Sequence, residues 1–462
     1  MSAMNKSMLQ AFPSGAGLCQ PSVAANLAHF CVIALIFVSV TAPVVYLSTS
    51  LPWFKLEQLA LPIILFVYGW FVLAGMARPV RPNAMYLIGG VYVLCICVSL
   101  FFGSVLLGQT VILRDFYEIP KALLPVIFFT LALEADLSEA SLHRLLSFFV
   151  LAMVLVCLYA WAQWMDLGVS HILTPFYSGG EHDEGSLSHY RRVYSTMGNP
   201  NFLGEVMTWS VVAFTLAALF KIGSRFRNLA MAFASLITLV MTGSRYGLLD
   251  TGLGLALVLI LPSFFNRRRM APLAILVVLL PVFVGVSFAV ANRNQATFDR
   301  LLTLHDPLKA DSLRDRVDEL WRDAADEFLR SPLFGQGPAK TKFSDVFTDS
   351  EYLDVLKKFG IVGFLVYLGF FIFPLVVLWK GLKRAARYGP QLEEQVPAKF
   401  WAMRVAFLMV STAMVMNIGM STFYNAGIQA FVWLWLGIGV GAVRSVDSLS
   451  RLQQTRYSLG TN

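Results

Sequence analysis

The sequence predicts an all-α polytopic membrane protein of about twelve transmembrane helices, with a long loop that carries amphipathic helices. Three observations predict it. Of 462 residues, 57% are hydrophobic and only 14% are charged, and mean hydropathy is +0.66. A soluble chain of this length does not hide that much apolar surface. The apolar residues come in runs of about 20, the length that crosses the hydrocarbon core, not in the short alternating segments of a β-barrel. Finally, Lys and Arg gather in alternate loops.

The runs lie near 26–47, 56–77, 84–106, 117–135, 144–165, 201–221, 227–243, 246–265, 271–291, 358–380, 400–419 and 424–443. Residues 1–25 are polar, contain Pro and Gly, and lack the pattern of a cleavable signal peptide, so the first span is expected to stay as a helix. Arg78 and Arg81 follow the second span, and Lys221, Arg225 and Arg227 the sixth. Arg267, Arg268 and Arg269 follow the eighth, and Lys380, Lys383, Arg384 and Arg387 the tenth. Arg444, Arg451 and Arg456 follow the last. With twelve spans these sites share one side, which the positive-inside rule makes cytoplasmic, together with both termini. The net charge of +8 therefore reports orientation, and no nucleic-acid partner is expected. The five cysteines (Cys19, Cys31, Cys95, Cys97, Cys157) avoid the long polar loops, so no disulfide is implied there.

The expected organisation is a cytoplasmic tail at 1–25 and nine helices over 26–291, with an outer loop at 166–200. A large outer loop follows at 292–357, then three helices over 358–443 and a cytoplasmic tail at 444–462. Basic residues that break the positive-inside rule gather on the outer face, which suggests a polyanionic ligand. Arg245, in Thr242-Gly243-Ser244-Arg245-Tyr246-Gly247, caps a tight turn between two apolar runs. Arginine at membrane depth is costly and has a partner or a task. Its planar guanidinium suits phosphate; a carboxylate from another helix is the structural alternative.

Arg191 and Arg192 lead through Thr196-Met197-Gly198 to Asn199-Pro200-Asn201, where Asn199 or Asn201 can cap the sixth span and favour an anion there. The plain alternative is a capped helix beside two interfacial arginines. In the large loop, Asp311-Ser312 resembles an N-cap, and 313–330 carries an apolar helical stripe through Val317, Leu320, Trp321 and Phe328. Arg314 and Arg316 on that run bind either a ligand or lipid headgroups. Ser331-Pro332-Leu333-Phe334-Gly335-Gln336-Gly337-Pro338 ends it. Asp349-Ser350-Glu351-Tyr352-Leu353-Asp354 then sits before the tenth span. Its carboxylates either complement the helix dipole or supply a general base. His182-Asp183-Glu184 matches no specific metal site, and no metal or other cofactor is expected.

Taken in order, Arg192…Asn201, Thr242–Arg245, the Arg314/Arg316…Trp321…Gly337 loop and Asp349-Ser350-Glu351-Tyr352-Leu353 with Phe359-Gly360-Ile361-Val362-Gly363 resemble the O-antigen ligase and polymerase superfamily of bacterial envelope enzymes. The resemblance spans about 190–370. It implies an inner-membrane glycosyltransferase that moves a glycan from an undecaprenyl diphosphate carrier to an acceptor hydroxyl on the periplasmic face. Arg192, Arg245, Arg314 and Arg316 would hold the diphosphate, supported by Arg191, Asn199, Asn201 and Tyr352. Asp349 first, then Glu351, would orient or deprotonate the hydroxyl. Arginines stabilise a diphosphate leaving group without a metal, and a single displacement inverts the anomeric carbon. Ligases of the family carry histidine where this chain has Asp349, so the expected activity is polysaccharide polymerisation. Transfer to lipid A-core or to a protein stays open. The implied partners are the lipid-linked donor, a glycan or lipid A-core acceptor, membrane lipids and a chain-length regulator protein. A lipid-linked glycan transporter is the reading from another class. It predicts mid-span charges and an internal repeat; few such charges and no clear repeat are visible. A structural partner without chemistry leaves the outer arginines unexplained.

Overall fold

The computed structural model describes residues 23–45, 54–73, 83–177, 192–260, 316–343, 348–387, 390–421, 423 and 425–460. The helices are α1 (Val23–Thr41), α2 (Leu56–Leu73), α3 (Ala84–Val105), α4 (Glu118–Ala135), α5 (Glu139–Met165), α6 (Gly168–Tyr177), α7 (Pro200–Leu219), α8 (Arg225–Thr242) and α9 (Arg245–Ile260). After them come α10 (Arg322–Arg330), α11 (Lys340–Phe343), α12 (Glu351–Ala385), α13 (Pro390–Gln395), α14 (Pro397–Met416) and α15 (Ala426–Gly460). The strands among the described residues are Val44–Val45 and Phe54–Lys55, one short antiparallel pair. Eleven of the twelve predicted spans coincide with one of these helices. The ninth, 271–291, lies outside the described residues. Among the described residues, seven helices are long and apolar enough to cross a membrane, and the chain is an all-α polytopic membrane protein.

Burial separates the centre from the rim. The apolar windows of α7 and α15 are 94% buried, whereas those of α3 and α12 are 33% buried. The former are wrapped by helices, and the latter keep a broad apolar face outward. The inner helices approach closely because small residues let backbones meet. A Cβ on Gly437 of α15 would stand 2.2 Å from the Phe129 carbonyl of α4, and one on Gly439 would stand 2.3 Å from Ala406 of α14. Buried indoles tie α7 to α14: Trp209 Nε1 donates to Thr412 Oγ1 (3.1 Å) and Trp401 Nε1 to the Ala213 carbonyl (2.9 Å).

Four expectations need correction. The outer loop at 166–200 contains α6. Residues 444–460, expected as a tail, continue α15; ion pairs Arg384–Asp447 (2.6 Å) and Arg444–Glu134 (3.5 Å) hold its polar end against neighbouring helices. The run 313–330 is not one α-helix where described: Arg316–Trp321 is a π-helical turn that leads into α10. Its proposed cap at Asp311-Ser312 lies outside the described residues. Finally, α12 begins at Glu351, well before 358, because Ser350 N-caps it by accepting from the Leu353 N–H.

The early start of α12 comes with a break. Gly360 has φ 65° and ψ −172°, so the i→i−4 ladder stops there. The break orphans the N–H groups of Ile361 and Val362 and the carbonyls of Lys357 and Lys358. Buried backbone groups need partners, and the Pro332–Gly337 loop supplies all four. Ile361 and Val362 donate to the Pro332 and Leu333 carbonyls (2.8 and 3.3 Å), while Gln336 and Gly337 donate to the Lys357 and Lys358 carbonyls (3.1 and 2.9 Å). Gly335 is also left-handed (φ 73°), and a Cβ there would meet the Lys358 carbonyl at 2.3 Å. Ser99 of α3 joins the clasp, donating to the Lys358 carbonyl and accepting from Gly337 N–H. The two glycine-rich motifs are halves of one backbone lock.

Candidate active site

Three segments meet beside this lock. The first is the α8–α9 turn. Gly243 is left-handed (φ 60°) and caps α8. Ser244 Oγ accepts from Gly247 N–H (3.2 Å), which starts α9 at Arg245. Gly204 of α7 leaves room for the turn, since a Cβ there would stand 2.7 Å from Ser244 Cβ. The turn thus projects Arg245 and Tyr246 side by side from the head of α9.

The second segment is the π-helical turn. Arg316 Nε donates to Asp349 Oδ2 at 2.9 Å. The Arg316 guanidinium also lies over the Tyr246 ring, 5.4 Å from its centroid. Tyr246 has space because position 419 is glycine, whose Cβ would stand 2.5 Å from the ring. The Arg316 and Arg245 charges act on one another. The Arg316 side chain is 13% exposed and that of Asp349 is 45% exposed, so the pair faces an opening from its Asp349 side.

The third segment is the approach to α12. Asp349 has φ 49°, a left-handed conformation that Asp tolerates better than most residues. Its neighbours hold it there. Trp321 Nε1 donates to the Thr348 carbonyl (3.0 Å), and Glu351 N–H donates to the Asn417 and Met420 carbonyls (3.1 and 3.2 Å). Tyr352 Oη donates to the Met414 carbonyl (2.6 Å). Tyr352 is therefore an anchor for this segment.

The structure brings Arg245, Arg316 and Asp349 together. Other residues of the predicted set make supporting contacts. Arg192 donates to the Thr242 carbonyl and to Asn201 Oδ1, both at 2.7 Å, and so braces the α8–α9 turn. Asn199, not Asn201, caps α7, accepting from Asn201 N–H (2.8 Å). Glu351 lines a partly open chamber between α3, α4, α12 and α15. Arg191 and Arg314 lie outside the described residues.

Beside that chamber is a charged network that the sequence reading did not assemble. Lys340 Nζ meets Glu118 Oε1 at 2.8 Å, and Lys121 stands 3.9 Å from Glu118. Asp354 pairs with Lys358 (2.5 Å) and Lys357 (3.3 Å). Asp115, fully buried, accepts from the backbone of Ile112 and Lys340. Burial lowers the Lys340 ammonium pKa from its ordinary value, against the raising pull of Glu118. The i,i+3 and i,i+4 spacings within 118–121 and 354–358 were a legible signal for local pairs; the added ion pair of Lys340 with Glu118 and the attraction between Glu118 and Lys358 were not. Two buried carboxylates, Glu205 in α7 and Asp250 in α9, also lie within spans.

Fold and site together define a polytopic membrane protein with two arginines and a carboxylate at one helix mouth. Residues 230–368 match the family model described as O-antigen ligase. The match supports the O-antigen ligase and polymerase superfamily, and so a membrane protein of that type of glycan biosynthesis. It takes in Arg245, Arg316, Asp349, Glu351 and the backbone lock, and it begins after Arg192. No curated protein matches the chain.

Proposed function

We propose that this protein transfers an undecaprenyl-diphosphate-linked oligosaccharide to an acceptor sugar hydroxyl at the periplasmic face of the inner membrane, and that it acts as a polysaccharide polymerase. The observation that carries this reading is the Arg316–Asp349 ion pair stacked on Tyr246 beside Arg245. A diphosphate leaving group needs positive charge where its own charge develops. Arg316 commits Nε to Asp349, while a guanidinium has five N–H donors in a planar fork suited to phosphate oxygens. In the reaction the acceptor oxygen bonds to the anomeric carbon as the bond from that carbon to the diphosphate oxygen breaks. The electron pair leaves on the diphosphate, and Asp349 orients the attacking hydroxyl and takes its proton. Back-side attack inverts the anomeric centre.

Arg245→Ala in cells tests the reading. Loss of glycan joining, with normal export of lipid-linked units, supports a transferase with its site at this mouth. Normal joining would exclude Arg245 from the machinery. Loss of export itself would favour the transporter reading.

A further inference from the structure

Charge sets the height of the backbone lock in the bilayer. The run from Phe359 to Trp379 carries no charged residue and is flanked by Lys358 and Lys380. At 1.5 Å per residue it spans roughly 30 Å, the thickness of the hydrocarbon core. The break at Gly360 therefore lies at one edge of the hydrocarbon, on the side that carries Asp349. The α3 side of the lock agrees. Gly103 stands near the end of α3 at Val105, and a Cβ there would meet the Gln336 carbonyl at 2.2 Å. The 331–338 loop thus crosses both spans at the level where hydrocarbon begins.

The loop turns its backbone inward and its apolar side chains outward. Ser331, Gly335, Gln336 and Gly337 are buried. Their N–H groups donate to the carbonyls of Phe328, Ser331, Lys357 and Lys358, and Pro332 and Pro338 have no N–H to satisfy. Leu333 is 59% exposed and Phe334 37%, while Leu329, near the end of α10, is 66% exposed. Phe334 rests on Phe102 of α3, with ring centroids 5.7 Å apart. Leu333 accepts at its carbonyl from Val362 of α12. Phe101 and Leu106 of α3 and Leu365 of α12 are exposed as well. The apolar tip of the loop is therefore continuous with the outward apolar faces of two spans. Non-helical backbone is tolerated at membrane depth only where protein buries it and satisfies its polar groups. The lock meets that condition, because α3 and α12 supply the partners.

We propose that Leu333 and Phe334 insert into the bilayer leaflet on the Asp349 side, with phospholipid acyl chains as their partner. Arg330, exposed and paired with Glu327 (3.0 Å), stands at the base of the loop, where the headgroup region takes its charge. The leaflet then covers the outer side of the lock, and lipid contact and the break in α12 form one unit. The proposal does not rest on the transferase reading.

The test uses Leu333→Cys carrying a nitroxide label, in a chain whose five natural cysteines are replaced by serine. The protein is reconstituted in vesicles of phosphatidylethanolamine and phosphatidylglycerol, and spin relaxation is measured with two collision partners. Molecular oxygen concentrates in hydrocarbon, and a water-soluble nickel chelate stays outside. The expected result is oxygen collision several-fold above nickel collision. Nickel collision in excess would put the tip in water and overturn the proposal. Shielding from both reagents would mean that protein covers the tip, from a second copy or from this chain, and would also overturn it. Electron cryomicroscopy of the natural chain in nanodiscs of the same lipids decides the matter if the labelled variant fails to fold. Leu333 is expected on the hydrocarbon side of the phosphate density, and a position beyond that density contradicts insertion.

Discussion

Arg316 lies between an aromatic face and a carboxylate, so its guanidinium is oriented before any ligand arrives. Removing one such preorganised donor typically costs about 10²–10³-fold in rate. Arg316→Ala is expected to lower glycan joining by about that factor while the protein stays folded, as judged by gel filtration and lipid-linked substrate turnover. Arg316→Lys should rescue little, because an ammonium has neither the fork nor the flat face that stacks on Tyr246. Arg192 is a contrast. It bonds to Thr242 and Asn201, so Arg192→Ala should lower the melting temperature as well as turnover. Composition and loop position made Arg245, Arg316 and Asp349 legible as candidates. The bracing role of Arg192 was not legible, since its partner is a backbone carbonyl 50 positions away and no side-chain pattern marks that carbonyl.

At the scale of elements, the break in α12 and its lock decide where Asp349 and Glu351 sit. Gly360→Ala would put a Cβ 2.3 Å from the Leu333 carbonyl at a φ of +65°. Left-handed strain alone costs of order 1–3 kcal/mol, and the clash adds to it, so unfolding should shift to clearly lower temperature in a thermal melt. Glu327 of α10 clips the same loop. It accepts from Lys342 Nζ (2.7 Å) and from Gln336 Nε2. Burial raises its pKa, but the Lys342 and Gln336 bonds and the Lys342 and Arg330 charges outweigh that, and the net shift is downward from 4.5. A carboxyl with a depressed folded pKa stabilises above its unfolded pKa and loses that contribution as pH falls through the folded value. Amide exchange at Gln336 and Gly337 should therefore quicken, relative to the intrinsic rate, as pH falls below the ordinary carboxylate value of 4.5 and through the lowered one. Salt should weaken the clip, since Arg330 is largely exposed. The sequence shows the glycines and prolines of this lock as turn signals. That two distant turns share four backbone bonds follows only from the break at Gly360, which an apolar stripe conceals.

For the whole molecule, hydropathy alone located eleven helices, because crossing length and apolar composition are both one-dimensional properties. Hydropathy also hints at which helices are central: the apolar windows of α3 and α12 are more hydropathic than those of α7 and α15, and they are 33% buried against 94%. A single span could not reveal the charged network around Glu118, which draws Lys340 from α11 and Lys358 from α12. The expected cytoplasmic side of the C-terminus is checked by cysteines placed one at a time within 444–460 and within 178–190. Membrane-impermeant maleimide on intact cells should label the second set and spare the first. The most direct measurement is of transfer itself. The purified protein, reconstituted without added metal, is given an undecaprenyl diphosphate-linked oligosaccharide, and the products are resolved by gel and mass spectrometry. A ladder of longer glycans with release of undecaprenyl diphosphate, lost in Arg316→Ala, is the expected result. Transfer only when lipid A-core or a protein acceptor is added would contradict polymerisation, and release of no carrier under any acceptor would contradict glycan transfer altogether.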